Sequence, residues 1–222
     1  MVITIGAEKG GVGKTRLATH IAALAACEGV DVVLLDTDKQ ASSISWSRIR
    51  NEEGLSPAIH VLPLPPNPGR ELANLASKFS LVVVDSGAQN YRTMLECALL
   101  SNVVLVPCGP DQQEIESTLN TFAAFDELAP RHPKGRIPAH VVFSKISPKE
   151  NAKTTADLRE YFASLGIPVC KSQIALREAW RTTGKTGKAL HELKGSERSL
   201  KAIEEMQALY DEVVELGNQE QA

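Results

Sequence analysis

The stretch GAEKGGVGKTRLATH, residues 6–20, decides the fold. It follows an apolar, β-branched run, VITI at residues 2–5, and leads into a helix expected over about Lys14–Glu28. Strand, glycine-rich turn and helix are together the context that a phosphate-binding loop demands. Gly10, Gly11 and Gly13, with Val12 between them, let the backbone turn its N–H groups inward and approach phosphate oxygens closely. The helix start adds the positive end of its dipole. Lys14 supplies a point charge for the β- and γ-phosphates, Thr15 a hydroxyl for Mg²⁺, and Arg16 begins the first helical turn. Gly10 to Arg16 is therefore the expected nucleotide-binding run. The usual pattern G-x-x-x-x-G-K-[ST] nevertheless wants glycine where this chain has Glu8, and the chain carries an extra lysine, Lys9, beside the glycine pair.

Outward from this loop, short apolar runs alternate with helix-like segments. DVVLLD (31–36), AIHVLPL (58–64), LVVVD (81–85), NVVLVP (102–107), AHVVFSK (139–145) and IPVC (167–170) read as strands. Helices are expected near Arg70–Lys78, Arg92–Leu100, Asp111–Leu128 and Ala152–Leu165. The strands are continuously apolar rather than alternating, as in a parallel sheet covered on both faces. Strand and helix in alternation imply a doubly wound, mostly parallel α/β sheet flanked by helices. PLPPNPG (63–69) reads as a rigid surface connection, and residues 1–222 as one domain.

A phosphate loop needs carboxylates near the metal, and a doubly wound sheet presents its ligands at the carboxyl ends of its strands. Asp36 ends VVLLD and Asp85 ends LVVVD. Mg²⁺ keeps several waters and takes few protein ligands, so either aspartate can act directly or through water. Asp38, just past the second strand, is placed to orient or activate an attacking water. A strand-terminal aspartate can also simply cap a helix, and that alternative stands beside the metal reading.

KGGVGKT, then DTDKQAS, VVVDSGA and VLVPCGPDQQEIES resemble the ParA/MinD group of deviant Walker P-loop ATPases. The match in motifs runs from Val2 to about Ser117, and the rest follows by topology. In that group the loop reads K-G-G-x-G-K-[ST] and the glycine missing at Glu8 is not required. The chain most resembles the short ParA proteins without an N-terminal DNA-reading domain. The resemblance makes Lys9 the signature lysine, which crosses a face-to-face dimer to the partner's ATP. It makes Asp38 the catalytic acid, Asp36 the switch acid near Mg²⁺ and Asp85 the Walker B acid. It also implies a switch loop at SGAQNYR that senses the γ-phosphate, with Gln89 or Asn90 mobile within it. Arg16 departs from the family, many of whose members have a second threonine there.

Electrostatics points the same way. ATP with Mg²⁺ leaves net negative charge, and two such sites facing each other repel unless cations intervene. A lysine arriving from the opposite subunit would make nucleotide state into dimerisation state.

Charge is unevenly distributed. The chain's formal net charge is −3, yet Lys171 to Lys201 carries eight Lys/Arg against three acids, and Ala202 to Ala222 carries six acids and no base. Such asymmetry is either a functional footprint or two solvated helix faces. Short ParA relatives bind DNA without sequence preference through C-terminal basic residues, which nominates Arg177, Arg181, Lys185 and Lys188. Trp180 among them reads as a core anchor rather than a stacking platform. The end of the chain reads as an amphipathic helix over about 197–216, capped by Ser196, with Leu200, Ile203, Met206, Leu209, Val213 and Leu216 on its apolar face. Its polar face is acidic, the wrong sign for an anionic membrane surface.

Four scattered cysteines without a C-x-x-C pair, and no visible secretory signal, read as a cytoplasmic protein with reduced thiols. The five histidines show no metal-ligand spacing. The resemblance implies a nucleoid-associated ATPase with a weak activity stimulated by its partner and by DNA. Its cofactors would be ATP and Mg²⁺, and its partners a second copy, nonspecific DNA and a ParB-like centromere-binding or cargo adaptor protein. Its task would be partition of a plasmid or chromosome, or positioning of a protein cargo. A MinD-like membrane-cycling ATPase and a dethiobiotin-synthetase-like ligase are the alternatives.

Overall fold

A computed structural model describes residues 1–148 and 152–221. Seven strands of the described residues form one all-parallel sheet: β1 (Val2–Ile5), β2 (Val32–Asp36), β3 (His60–Pro63), β4 (Leu81–Asp85), β5 (Val103–Cys108), β6 (Ala139–Ile146) and β7 (Val169–Ala175). Their order across the sheet is β3-β2-β4-β1-β5-β6-β7, with β1 hydrogen-bonded to both β4 and β5. The chain winds one way from β1 and then the other. The crevice beside the carboxyl end of β1 is therefore the topological switch point where such sheets bind ligands.

The helices are α1 (Lys14–Cys27), α2 (Ser42–Glu52), α3 (Gly69–Ala76), α4 (Tyr91–Ala98), α5 (Gln112–Leu128), α6 (Ala152–Ser164), α7 (Ala179–Thr186) and α8 (Leu200–Gln221). Apolar side chains from alternate strand positions feed opposite faces. In β4, Leu81 and Val83 join a core with Ile21 of α1, Trp180 of α7 and Leu209 of α8. Val82 and Val84 join Leu72 of α3 on the other face. A further core packs Val104, Val106 and Phe143 against Phe122 of α5 and Phe162 of α6. Continuous apolar strands are thus a consequence of burial on both sides.

Four expectations are corrected. Strand β3 lies at the sheet edge, and its Leu62 is 41% exposed rather than covered. The last strand is longer than IPVC and starts later. Helix α2 is an addition: its inward face is Ser43, Trp46, Ser47 and Arg50, which carries little hydrophobic periodicity. The final helix begins at Leu200, because Ser196 lies in a 3₁₀ turn (Gly195–Glu197). Its cap is Ser199, whose Oγ accepts the Ala202 N–H at 3.4 Å.

Of the cysteines, Cys97, Cys108 and Cys170 are buried and Cys27 is exposed, all four free. Among the described residues no helix is long and apolar enough to cross a membrane. Ser199→Ala is expected to lower unfolding free energy by about 1 kcal/mol, and Ser196→Ala to leave it within about 0.5 kcal/mol of the parent. Denaturant titration of both variants checks the assignment; equal losses would refute it.

Candidate nucleotide-binding site

The loop after β1 is held from several sides. Gly6 donates its N–H to the Leu105 carbonyl at 2.9 Å and packs so closely on Met94 that an added Cβ would sit 2.4 Å from its Cγ. Gly11 and Gly13 have φ of 75° and 101°, a region only glycine enters without strain. Val12 is buried, and its carbonyl accepts a hydrogen bond from Ser144 Oγ at the end of β6, 2.8 Å away. Gly13 caps α1 without a side-chain bond, and no acid occupies the first turn. The first amides of the helix and its dipole are therefore free to face an anion.

The two lysines of the loop differ in placement. Lys14 is buried, and its Nζ folds back to donate to the Lys9 carbonyl at 2.8 Å. Burial lowers its pKa, while Asp85 and Asp38 pull the other way. Lys9 is half-buried at the rim, and its Nζ donates to Gln113 Oε1 on α5 rather than to its own loop. Glu8, the residue in place of the missing glycine, accepts a long 3.5 Å bond from Ser117 on the same helix. Gly10, Gly11, Gly13, Lys14, Thr15, Arg16 and Asp38 line one open cleft.

Asp36 and Asp85 are register neighbours at the ends of β2 and β4. Asp85 is almost fully buried. Burial, opposed by hydrogen bonds from Ser43 and Thr15 and reinforced by the charge of Asp36, pushes its carboxyl up to about 6. Ser43 Oγ donates to Asp85 Oδ2 at 2.7 Å. Asp36 accepts three backbone N–H groups: Asp38 on Oδ1 at 2.8 Å, and Ser43 and Ile44 on Oδ2 at 2.9 and 3.1 Å. Asp36 therefore satisfies amides in the first turn of α2, a role that stands beside the metal reading. Burial raises its pKa, and these bonds restrain the rise.

Asp38 is partly exposed and accepts the Gln40 N–H. It lies under Gly87, where a Cβ would meet the Asp38 Cα at 2.8 Å. Gly87 N–H donates to Thr37 Oγ1, and Asn90 Nδ2 donates to the Thr37 carbonyl, so the loops after β2 and β4 are knitted together.

The donors present suit a hard cation. Thr15, Asp36 and Asp85 offer oxygen alone, and among the described residues no three His, Cys, Asp or Glu side chains form a closed metal cage. Such oxygen donors fit Mg²⁺, which keeps several waters and takes few protein ligands.

Beside the loop, sharing Gly13 and Arg16 with the cleft, lies an apolar nook walled by Leu17, Ile174, Leu176 and Trp180. No sequence motif marks it, because its walls come from the ends of α1, β7 and α7. Trp180 is buried edge-on to His20 with ring centroids 4.7 Å apart, a core position as expected.

The nominated cations divide. Arg177 is held by Glu205 of α8 through both Nε and Nη2, so its charge is matched. Arg181 is exposed, with a loose 3.5 Å contact to Glu178. Lys185 is exposed and Lys188 half-exposed, and neither makes an ion pair among the described residues. Burial, and after it the like charge of Arg181 on α7, hold the Arg16 guanidinium below its usual range.

A carboxyl raised to about 6 in the fold, against about 3.9 unfolded, opposes folding once ionised. That cost grows as pH climbs from about 4 to 6 and persists above. Asp85→Asn is accordingly expected to raise the nucleotide-free melting temperature at pH 7.5 by several degrees. It should also flatten its fall between pH 4 and 6. A variant melting at or below the parent would show that burial does not strain this carboxylate.

Residues 3–190 match the family described as the CobQ/CobB/MinD/ParA nucleotide binding domain. A search of the curated proteins finds no significant match. Among solved structures, a putative plasmid partition protein of Borrelia burgdorferi B31 bound to AMPPNP superposes with a TM-score of 0.73 at 18% identity, covering 96% of this chain and 98% of that one. Apo McdA of Cyanothece gives 0.69 at 14% identity, over 97% and 98%. MinD of Aquifex aeolicus gives 0.65 at 16% identity, over 96% of each. At these identities the superpositions speak for the fold, and the family match, covering most of the chain, speaks for descent. The chain belongs to the CobQ/CobB/MinD/ParA nucleotide-binding family.

Proposed function

We propose that the protein is a ParA-type ATPase switch. It binds ATP with Mg²⁺, closes into a face-to-face dimer, holds nonspecific DNA in that state, and is released by slow hydrolysis that an adaptor protein accelerates. The observation that carries the reading is the pair of lysines: Lys14 lies over its own loop, while Lys9 stands at the rim with its ammonium group turned away from it. A single nucleotide site needs only the first. A second cation at the rim is what two facing triphosphates need, since their repulsion falls when each receives a lysine from the other side. The Borrelia structure of similar fold holds AMPPNP, and a cobyrinic acid a,c-diamide synthase of Mycobacterium smegmatis holds ADP and magnesium, which supports the choice of cofactors.

In this reading the glycine-loop amides and Lys14 hold the phosphates, and the apolar nook beside Leu176 and Trp180 takes the base. Thr15, Asp36 and Asp85 serve the metal, which when bound neutralises phosphate charge and polarises the γ-phosphoryl group. Asp38, partly exposed and opposite Lys14, orients water. A proton-accepting or water-orienting group must reach solvent, and Asp38 does so where Asp36 and Asp85 are buried. DNA is gripped by Arg181, Lys185 and Lys188, doubled in the dimer. Arg177 drops out of the patch because Glu205 neutralises it. The acidic polar face of α8 and its packing against the core count against a membrane tail. Partition of a DNA molecule and positioning of a protein cargo share this site, and the adaptor decides between them.

Retention on random-sequence duplex DNA, measured with ATP·Mg²⁺, with ADP and with neither across a salt series, tests the reading. Binding is expected with ATP alone. Changing Arg181, Lys185 and Lys188 together to Ala should abolish it at physiological salt and flatten the log–log salt slope by about 0.9 for each phosphate no longer neutralised. Equal retention with ADP, or a triple variant that binds like its parent, would contradict it.

A further inference from the structure

Arg50 has no part in the site described, yet it is the largest fully buried side chain among the described residues. It sits in the last turn of α2 and uses all its donor directions. Nε and Nη2 donate to the Pro57 carbonyl, Nη1 to the Gly187 carbonyl at 3.2 Å, and Nη1 and Nη2 to the two oxygens of Glu192, each at 2.7 Å. Glu192 also accepts the Ala189 N–H at 2.7 Å. The guanidinium lies over Trp46, 5.5 Å from the ring centroid. Gly187, which ends α7 at φ 67°, approaches so closely that a Cβ there would stand 2.4 Å from the Arg50 backbone nitrogen. There is no slack between these two helix ends.

The other end of α2 is fastened to the acid cluster. Ser43 and Ile44 donate to Asp36, and the Ser43 hydroxyl donates to Asp85. An 11-residue helix of about 16 Å thus has its start bonded to the two carboxylates of the nucleotide site and its end bonded to the segment bearing Lys185 and Lys188. Asp36 and Asp85, the carboxylates that would serve a cation beside Thr15, are the same two that hold the start of α2. A buried ion pair of this kind gives little net stability over well-packed apolar side chains, so its value lies in the geometry it imposes.

We propose that Arg50 is a positioning residue: with Glu192 it forms the joint through which α2 carries the occupancy of the nucleotide site to the basic segment. The inference rests on the nucleotide reading above and adds to it the route from phosphate to DNA surface. A rigid helix with both ends bonded moves as a unit, and the segment from Gly187 to Glu192 follows its far end.

The test compares amide hydrogen exchange across residues 186–193 with ATP·Mg²⁺ and with ADP, in the parent and in the double variant Arg50→Met, Glu192→Leu. The double change leaves no unpaired buried charge. In the parent, exchange should differ several-fold between the two nucleotides. In the double variant the difference should vanish while ATP affinity stays within about twofold, and DNA retention should lose its preference for ATP by about tenfold. A role confined to stability would lower the melting temperature and leave the exchange difference intact, which would overturn the joint. So would a parent that binds ATP but shows no difference at 186–193. A parent that shows the difference yet retains no DNA in any state would sink the DNA reading and keep the joint. Should the double variant not fold, Glu192→Gln, which keeps shape and weakens charge, is expected to shrink the difference, and an undiminished difference refutes the joint.

Discussion

Two carboxylates, Asp36 and Asp85, stand side by side at the ends of adjacent buried strands, and much of the structure around the cleft exists to make that tolerable. Buried like charges are costly unless donors surround them. Asp36 is met by three backbone amides, two of them in the first turn of α2. Asp85 is met by the Ser43 hydroxyl and still has its carboxyl raised to about 6. A cation would complete this balance. The protein supplies Lys14 nearby, itself desolvated, and leaves oxygen ligands turned toward Thr15. On the proposed reading, such a site takes a metal that comes with a phosphate and leaves with it.

The same economy of bonds explains how remote parts are organised. Helix α2 contributes little apolar surface; it is secured at its start by the acids and at its end by Arg50 and Glu192. Helix α7 is anchored by Trp180 in the core and presents Arg181 and Lys185 outward. Lys9, at the rim, leans on Gln113 by one exposed hydrogen bond, an interaction of about 1 kcal/mol that is easily exchanged for a stronger one with phosphate. On the proposed reading, weak intramolecular bonds at the rim and strong ones underneath let the surface respond while the frame holds.

The loop, the strand-end acids and the doubly wound sheet are legible in the sequence because each is written locally: glycines at 10, 11 and 13, an aspartate closing each apolar run, and strand and helix in alternation. Features fixed by distant partners are not. Helix α2 presents two serines, a tryptophan and an arginine inward, a set that becomes a helix face only when Asp36, Ile59, Pro57 and Glu192 receive them. Counting charges along Lys171–Lys201 treats Arg177 as available, but Glu205, 28 residues later, folds back onto it. The apolar nook is assembled from three elements remote in sequence. The cap of the last helix falls three residues beyond its expected place because Ser196 and Ser199 are equally good caps in isolation, and only the start of α8 separates them.

On the proposed reading, the charge of bound nucleotide decides whether two copies associate, with Lys9 as the answering cation. Molar mass by light scattering tests it directly, for the parent and for Lys9→Ala, with a non-hydrolysable ATP analogue and with ADP at matched occupancy. The expected result is a dimer for the parent with the analogue alone, and a monomer for Lys9→Ala with either nucleotide despite undiminished binding of both. An analogue-dependent dimer of Lys9→Ala, or a parent whose mass ignores the nucleotide, would contradict the claim.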